Sequence, residues 1–299
     1  MVEGAAGDAG LAAARIPQGV IRYRVTGPED GPVLVFVHGF LVNGDLWRKV
    51  VPTLAATYRC VTPDWPAGSH EVPLRRPADF SLPGMAQIVA DFLAALDLRD
   101  VTLIGNDSGG AVVQRTAVDH PERLARIVLT PCDAFDVFPP SPFGLVVASA
   151  YVPGMPWLSL QAMRVRALRR LPFAYGWFAK HPIDEAAMRS YIEPGLRSPG
   201  VRRDMRDLLF NLDRAWTRNT AERLREFTGP ALVVRAGDDR LFPAEDGRRL
   251  ARALSDASLV TIPDCYTAIP EDRPDELAAT IADFLAKTAS PRPAAGRLM

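Results

Sequence analysis

Six short runs rich in β-branched and other apolar residues recur along the chain, separated by longer segments: VLVFVHG (33–39), YRCVTPD (58–64), VTLIGN (101–106), RIVLTP (126–131), ALVVRAG (231–237) and SLVTIPD (258–264). Strands that read as unbroken apolar runs, not as alternating ones, are buried on both faces, which is the condition of a parallel sheet layered between helices. The intervening segments have helical periodicity. Residues 84–97 place Ile88, Val89, Phe92, Leu93 and Leu96 on one stripe, and 274–286 does the same with Leu277, Ile281, Phe284 and Leu285, with Pro274 suited to a first helical turn. The pattern predicts a doubly wound, mostly parallel α/β sheet.

The alternation stops between residues 135 and 227, where helical and proline-rich segments hold Tyr151, Trp157, Tyr175, Trp177, Tyr191 and Trp216. This insertion is expected to form a helical lid over the carboxyl ends of the strands, where open α/β sheets bind ligands. The core then comprises residues 18–134 and 228–287, with tails at 1–17 and 288–299. The start, MVEGAAGDAGLAAARIPQ, lacks the charged and apolar regions of a signal peptide. The uncharged run from Val137 to Met163 is long enough to span a bilayer, but Pro139, Pro140, Pro142, Pro153 and Pro156 each remove a backbone donor; it is read as buried or as the wall of an apolar pocket.

Thirty-five basic residues balance thirty-five acidic ones. That leaves no global field for nucleic acid, and no membrane partner is expected. The partner expected is a small molecule, with the chain as a monomer or homodimer. Cys60, Cys132 and Cys265 are widely spaced with no C-x-x-C pair, which fits a reducing cytoplasm. No Walker sequence, G-x-G-x-x-G or zinc-ligand spacing occurs, so neither cofactor nor metal is expected.

The chemistry concentrates at Gly105-Asn106-Asp107-Ser108-Gly109-Gly110. This phrase follows the strand VTLI and opens the helix AVVQRTAV, the strand–turn–helix setting of a nucleophile elbow. Its glycines lie two before and two after Asp107, so Asp107 is the tip; Ser108 in that role would need a glycine at 106, which is Asn.

From about residue 18 to 287 the chain resembles the α/β-hydrolase fold superfamily, in particular its aspartate-nucleophile branch of haloalkane dehalogenases and epoxide hydrolases. His38-Gly39-Phe40 resembles the oxyanion-loop motif, Asp64-Trp65-Pro66 the Asp-x-Pro-Gly loop, His120-Pro121-Glu122-Arg123-Leu124 a structural turn, and AGDDRLFP (236–243) the acid loop. The resemblance implies Asp107 as catalytic carboxylate, Asp239 as acid with Asp238 its solvated neighbour, and backbone N–H groups of Phe40 or Leu41 and of Ser108 as the oxyanion hole. Asp133 and Asp136, just past strand RIVLTP, are alternative acids ranked below Asp239. His38, Trp65, Tyr151, Trp157, Tyr175, Trp177 and Tyr191 are expected to line the substrate pocket.

One departure governs the function expected. In IPDCYTAIPEDRP (262–274), Thr267 stands where the family carries its catalytic histidine. Of the four histidines, His38 belongs to the oxyanion loop, His120 to a remote turn and His181 to the lid, which leaves His70 as the substitute candidate. A carboxylate that attacks carbon leaves an ester, and its hydrolysis needs a base that Thr267 cannot supply. The expectation is an enzyme on a small, largely apolar substrate. Its reaction would be epoxide opening, cyclisation, elimination or isomerisation, not ordinary ester hydrolysis. Two alternatives are an epoxide-hydrolase-like reaction using His70, with lid tyrosines on the epoxide oxygen, and a catalytically silent ligand-binding protein. Dehalogenation ranks lower, because the halide-binding Asn and Trp positions hold Phe40 and Ser108.

Overall fold

The computed structural model describes residues 10–289. Eight strands, β1 (Leu11–Ile16), β2 (Gly19–Thr26), β3 (Val33–Val37), β4 (Arg59–Pro63), β5 (Val101–Asp107), β6 (Leu124–Cys132), β7 (Ala231–Ala236) and β8 (Ala257–Ile262), form one sheet in the order β1-β2-β4-β3-β5-β6-β7-β8. The pairs β1/β2 and β2/β4 are antiparallel and every other pair is parallel. The helices are α1 (Val51–Leu54), α2 (Leu82–Ala95), α3 (Ser108–Asp119), α4 (Gly144–Ala150), α5 (Met155–Ala162), α6 (Arg166–Arg169), α7 (Glu185–Arg197), α8 (Pro199–Phe210), α9 (Arg214–Arg223), α10 (Ala244–Ala253), α11 (Ile269–Asp272) and α12 (Pro274–Lys287).

The apolar runs are explained by two cores, one on each face of the sheet. Along β3, Val35 and Val37 enter one core while Leu34 and Phe36 enter the other, and β7 divides Ala231 and Val233 from Leu232 and Val234 in the same way. The first core takes the predicted stripe of α2, whose N-cap Ser81 accepts a hydrogen bond from Gly84 N. The second takes Leu277, Ile281, Phe284 and Leu285 of α12, which begins at Pro274 as expected. Each such side chain contributes about 1.5–3 kcal/mol when fully buried.

Three expectations are corrected. Residues 11–16 are not tail but the edge strand β1, paired in register with β2; its alanine-rich run has little intrinsic strand preference and is held by that pairing. Residues 1–9 of the proposed tail, and 290–299 of the second, lie outside the described residues. The strand β8 is an edge with exposed positions, not a strand buried on both faces. Finally, α9 falls inside the range assigned to the lid but packs on α2, α3 and α10 of the core, with Trp216 under the Arg115 guanidinium at 5.6 Å.

The remaining insertion, from β6 through α8, covers the carboxyl ends of β5 and β6. The uncharged run around Val137–Met163 forms short helices whose side chains wall a cavity, and no described helix is long and apolar enough to cross a membrane. On the α8 side the insertion is clamped to the core: the buried Asp204 carboxylate accepts from His70 Nε2 (3.2 Å), Leu74 N (2.7 Å) and Arg76 Nη2 (3.1 Å).

Candidate active site

Asp107 ends β5 with φ 56° and ψ −136°, a left-handed conformation that a non-glycine residue adopts only under constraint. The constraint is packing. Gly110 passes so close to β6 that a Cβ there would lie 2.2 Å from Cys132 Cβ. Gly39 lets the loop after β3 approach the elbow, since a Cβ at 39 would fall 2.1 Å from Asp107 Oδ2. Gly39→Ala is therefore expected to displace the carboxylate and lower turnover by about 10²-fold, with the melting temperature reporting whether the fold survives.

The close approach aims Phe40 N at Asp107 Oδ2 (3.3 Å), and Ser108 N also bonds the carboxylate. Both expected oxyanion donors thus hold Asp107 itself. Leu41 is not among them, because its N–H is spent on Ala67 O at 2.9 Å; its side chain lines the cavity.

Above the elbow lies a cavity of about 470 Å³. Its wall includes Val112, Leu82 and Met85 from the core and Phe138, Leu160, Met163 and Phe173 from the insertion. Two carboxyls break this apolar lining, Asp107 and Asp133. Asp133 follows Cys132, which is the β6 partner of Asp107, and Gln114 Nε2 fixes its backbone carbonyl at 3.0 Å. Its side chain is buried, and Oδ1 has no hydrogen-bond partner.

The two carboxyls are electrostatically different. Burial pushes Asp107 up to about 6, opposed by the Ser108 and Phe40 N–H groups and reinforced by the charge of Asp239. Asp133 is held well above the usual carboxylate range by burial and then by the negative charge of Asp107. Two buried carboxyls, both raised above the ordinary carboxylate range and Asp133 further by the charge of Asp107, therefore face the same space.

Asp239 lies outside the cavity wall. Its Oδ1 accepts from the Thr267 hydroxyl (2.8 Å), Leu241 N (2.9 Å) and Phe242 N (3.2 Å). Burial raises its pKa and these bonds counter the rise. Asp238 is exposed and pairs with Lys180 at 2.6 Å. Asp136 is also exposed and pairs with Arg218, away from the cavity, so it is removed as an acid. Thr267 is fully buried, with its carbonyl held by Asn106 Nδ2 at 2.8 Å. Asn106 also donates to Thr130 Oγ1 and so ties β5 and β6 to the loop after β8; its position between strand and elbow is the sequence signal for this role.

No histidine is free to act as base at Asp107. His38 lines the cavity, but Nδ1 bonds Gly39 O (2.9 Å) and Nε2 accepts from Trp65 N (2.8 Å). Burial lowers its pKa to about 4, so the ring is neutral. His70, the expected substitute, is turned to Asp204 and does not line the cavity.

The expected aromatic lining is met in part. Trp65 and Tyr175 join His38 in the wall, with the Tyr175 hydroxyl donating to Leu41 O at 2.7 Å. Tyr191 is buried elsewhere and bonds Glu271, Trp177 packs against the second core, and Trp157 and Tyr151 are exposed, Tyr151 stacking on Phe210. No pair of free lid tyrosine hydroxyls is assembled over Asp107 of the kind epoxide opening by lid donors would need.

An eight-strand sheet in this order, with a carboxylate on a strained elbow after β5 and a helical insertion after β6, defines an α/β-hydrolase-type protein. The family model for the alpha/beta hydrolase fold matches residues 32–164. A pimeloyl-[acyl-carrier protein] methyl ester esterase of Aeromonas salmonicida is 30% identical over 260 residues, covering 80% of this chain and 94% of the relative. The chain belongs to the α/β hydrolase family. A cis-3-alkyl-4-alkyloxetan-2-one decarboxylase of Xanthomonas campestris is 27% identical, covering 88% of this chain and 91% of that one. Among solved structures, the haloalkane dehalogenase DbeA of Bradyrhizobium elkani superposes with a TM-score of 0.75 at 18% identity, over 93% of this chain and 98% of that one, a likeness of fold.

Proposed function

We propose that the protein is an enzyme that uses Asp107 and Asp133 as a base and an acid on an apolar, oxygen-bearing molecule held in the cavity. The observation that carries this reading is the cavity wall, which offers two carboxyls and one imidazole with both nitrogens engaged. Asp107, whose carboxylate is held by the Phe40 and Ser108 N–H groups, faces the cavity where the substrate would lie. Asp133, whose burial favours the protonated form, has an unpartnered oxygen.

In the proposed step Asp133 gives its proton to the oxygen whose C–O bond breaks. Asp107 takes a proton from the adjacent carbon, or from a hydroxyl within the substrate that closes on the carbon being released. Return of that proton from Asp107 to Asp133 resets the pair, and no water is consumed. Cyclisation, elimination, isomerisation and intramolecular epoxide opening share this course. The relative named for decarboxylating an oxetan-2-one with two alkyl substituents supports the substrate class, since that substrate is a strained oxygen ring bearing apolar chains.

The reading has a direct test. An alkyl epoxide probe is expected to alkylate Asp107 and leave a mass adduct that outlasts prolonged dialysis, because no side chain in the wall activates a water to clear the ester. Rapid loss of the adduct, with solvent oxygen entering the product, would instead establish hydrolytic turnover and overturn the proposal.

A further inference from the structure

Seven large apolar side chains, Leu145, Tyr151, Val152, Trp157, Leu158, Val165 and Phe173, stand exposed on one stretch of the insertion. Leu145 is 69% exposed, Leu158 54%, Val165 53% and Trp157 43%. Single exposed apolar residues are ordinary, but a cluster of this density marks a surface that something covers. Leu145 and Phe173 also line the cavity, so the cavity opens through this patch.

The charge around the patch selects the occupant. From Val137 to Ile183 the chain contains no Asp or Glu but carries Arg164, Arg166, Arg169, Arg170 and Lys180, against a net charge of zero for the whole. Lys180 is neutralised by Asp238 and Asp264. Arg169 is buried against Glu185, which also pairs with the exposed Arg166, whereas Arg164 and Arg170 bond only uncharged groups. Arg206 adds a further cation over the ring of Phe210, on which Tyr151 stacks.

We infer that this face docks on an anionic lipid surface, with α4 and α5 lying in the interface and the cavity mouth opening to the bilayer. Apolar side chains with Trp and Tyr among them, rimmed by arginines, have the composition of an element that lies on a membrane without spanning it. A second copy of the chain fits less well, because a two-fold contact would oppose one cationic rim to another. The inference deepens the proposed function by naming where its apolar substrate comes from, a lipid phase, and it rests on that reading for the substrate alone.

The test uses the intact protein and vesicles of equimolar phosphatidylcholine and phosphatidylglycerol, with pure phosphatidylcholine as the control. Flotation is expected to recover about tenfold more protein with the anionic vesicles, a difference that shrinks at high salt, and Trp fluorescence is expected to shift to the blue on binding. The variant carrying Leu158→Glu and Val165→Glu, positions outside the cavity wall, should lose most of the binding while keeping its melting temperature. Asp107→Asn should bind vesicles as the parent does, so failure of the proposed chemistry and failure of docking are read separately. No binding to anionic vesicles, equal binding by the Leu158→Glu and Val165→Glu variant, or a parent dimer that this variant dissociates would each overturn the inference.

Discussion

Asp107→Asn is expected to lower turnover at least about 10³-fold and to raise the melting temperature measured at pH 7. The first effect follows because an amide neither accepts a proton nor attacks carbon. The second follows from linkage. The folded pKa of Asp107 is raised to about 6, so the folded state favours the protonated form. The stabilisation is fully present below the unfolded pKa and is lost as pH rises through about 6. At pH 7 the parent therefore carries an ionised group that folding disfavours, by about 3 kcal/mol, and the neutral amide removes it. That is equivalent to a rise of a few degrees, and the gain should vanish when both proteins are melted near pH 4. Calorimetry at the two pH values, with single-turnover kinetics, checks both parts. A folded Asn variant of full activity would remove Asp107 from the chemistry.

Asp133→Asn is the second large effect, and its signature differs. Turnover is expected to fall about 10²- to 10³-fold, because the amide can hydrogen-bond a departing oxygen but cannot protonate it. The parent's rate should rise with pH as Asp107 ionises near 6 and fall at higher pH as Asp133 loses its proton. In the Asn variant the rising limb should remain and the falling limb disappear. No loss of melting temperature is expected at pH 7, because burial disfavours the charged form of Asp133 and the amide replaces it at similar volume. A pH–rate profile with both limbs intact would show that Asp133 is not the acid.

The sequence carried the centre of the sheet and the elbow for the same physical reason. Strands buried on both faces must be apolar throughout, so β3 to β7 announced themselves, and an elbow needs glycine where backbones touch. The rim is different. β1 is alanine-rich and becomes a strand only through its pairing with β2, a tertiary effect that composition does not encode. Asp133 and Asp136 looked equivalent past β6, yet one turns into the cavity and the other meets Arg218 in solvent. Three residues of loop geometry separate those outcomes. The lid aromatics were least legible, because proline-broken helices have no long periodic stripe from which to read a facing direction; Tyr191 and Tyr151 share a composition and end at opposite extremes of burial.

The Asp204 clamp gives the insertion a mechanical polarity. Its acceptor bonds to His70 and Leu74 lie in the interior, that to Arg76 lies nearer the surface, and all three must break if the α8 side lifts. The α4 and α5 side meets its neighbours mainly through apolar side chains, which slide past one another without forfeiting a directional bond. Opening of the cavity is therefore expected at the α4 and α5 half, with α8 as the fixed jamb, and hydrogen exchange faster in α4 and α5 than in α8 checks it. Substrate capture and product escape would then use the same edge of the insertion.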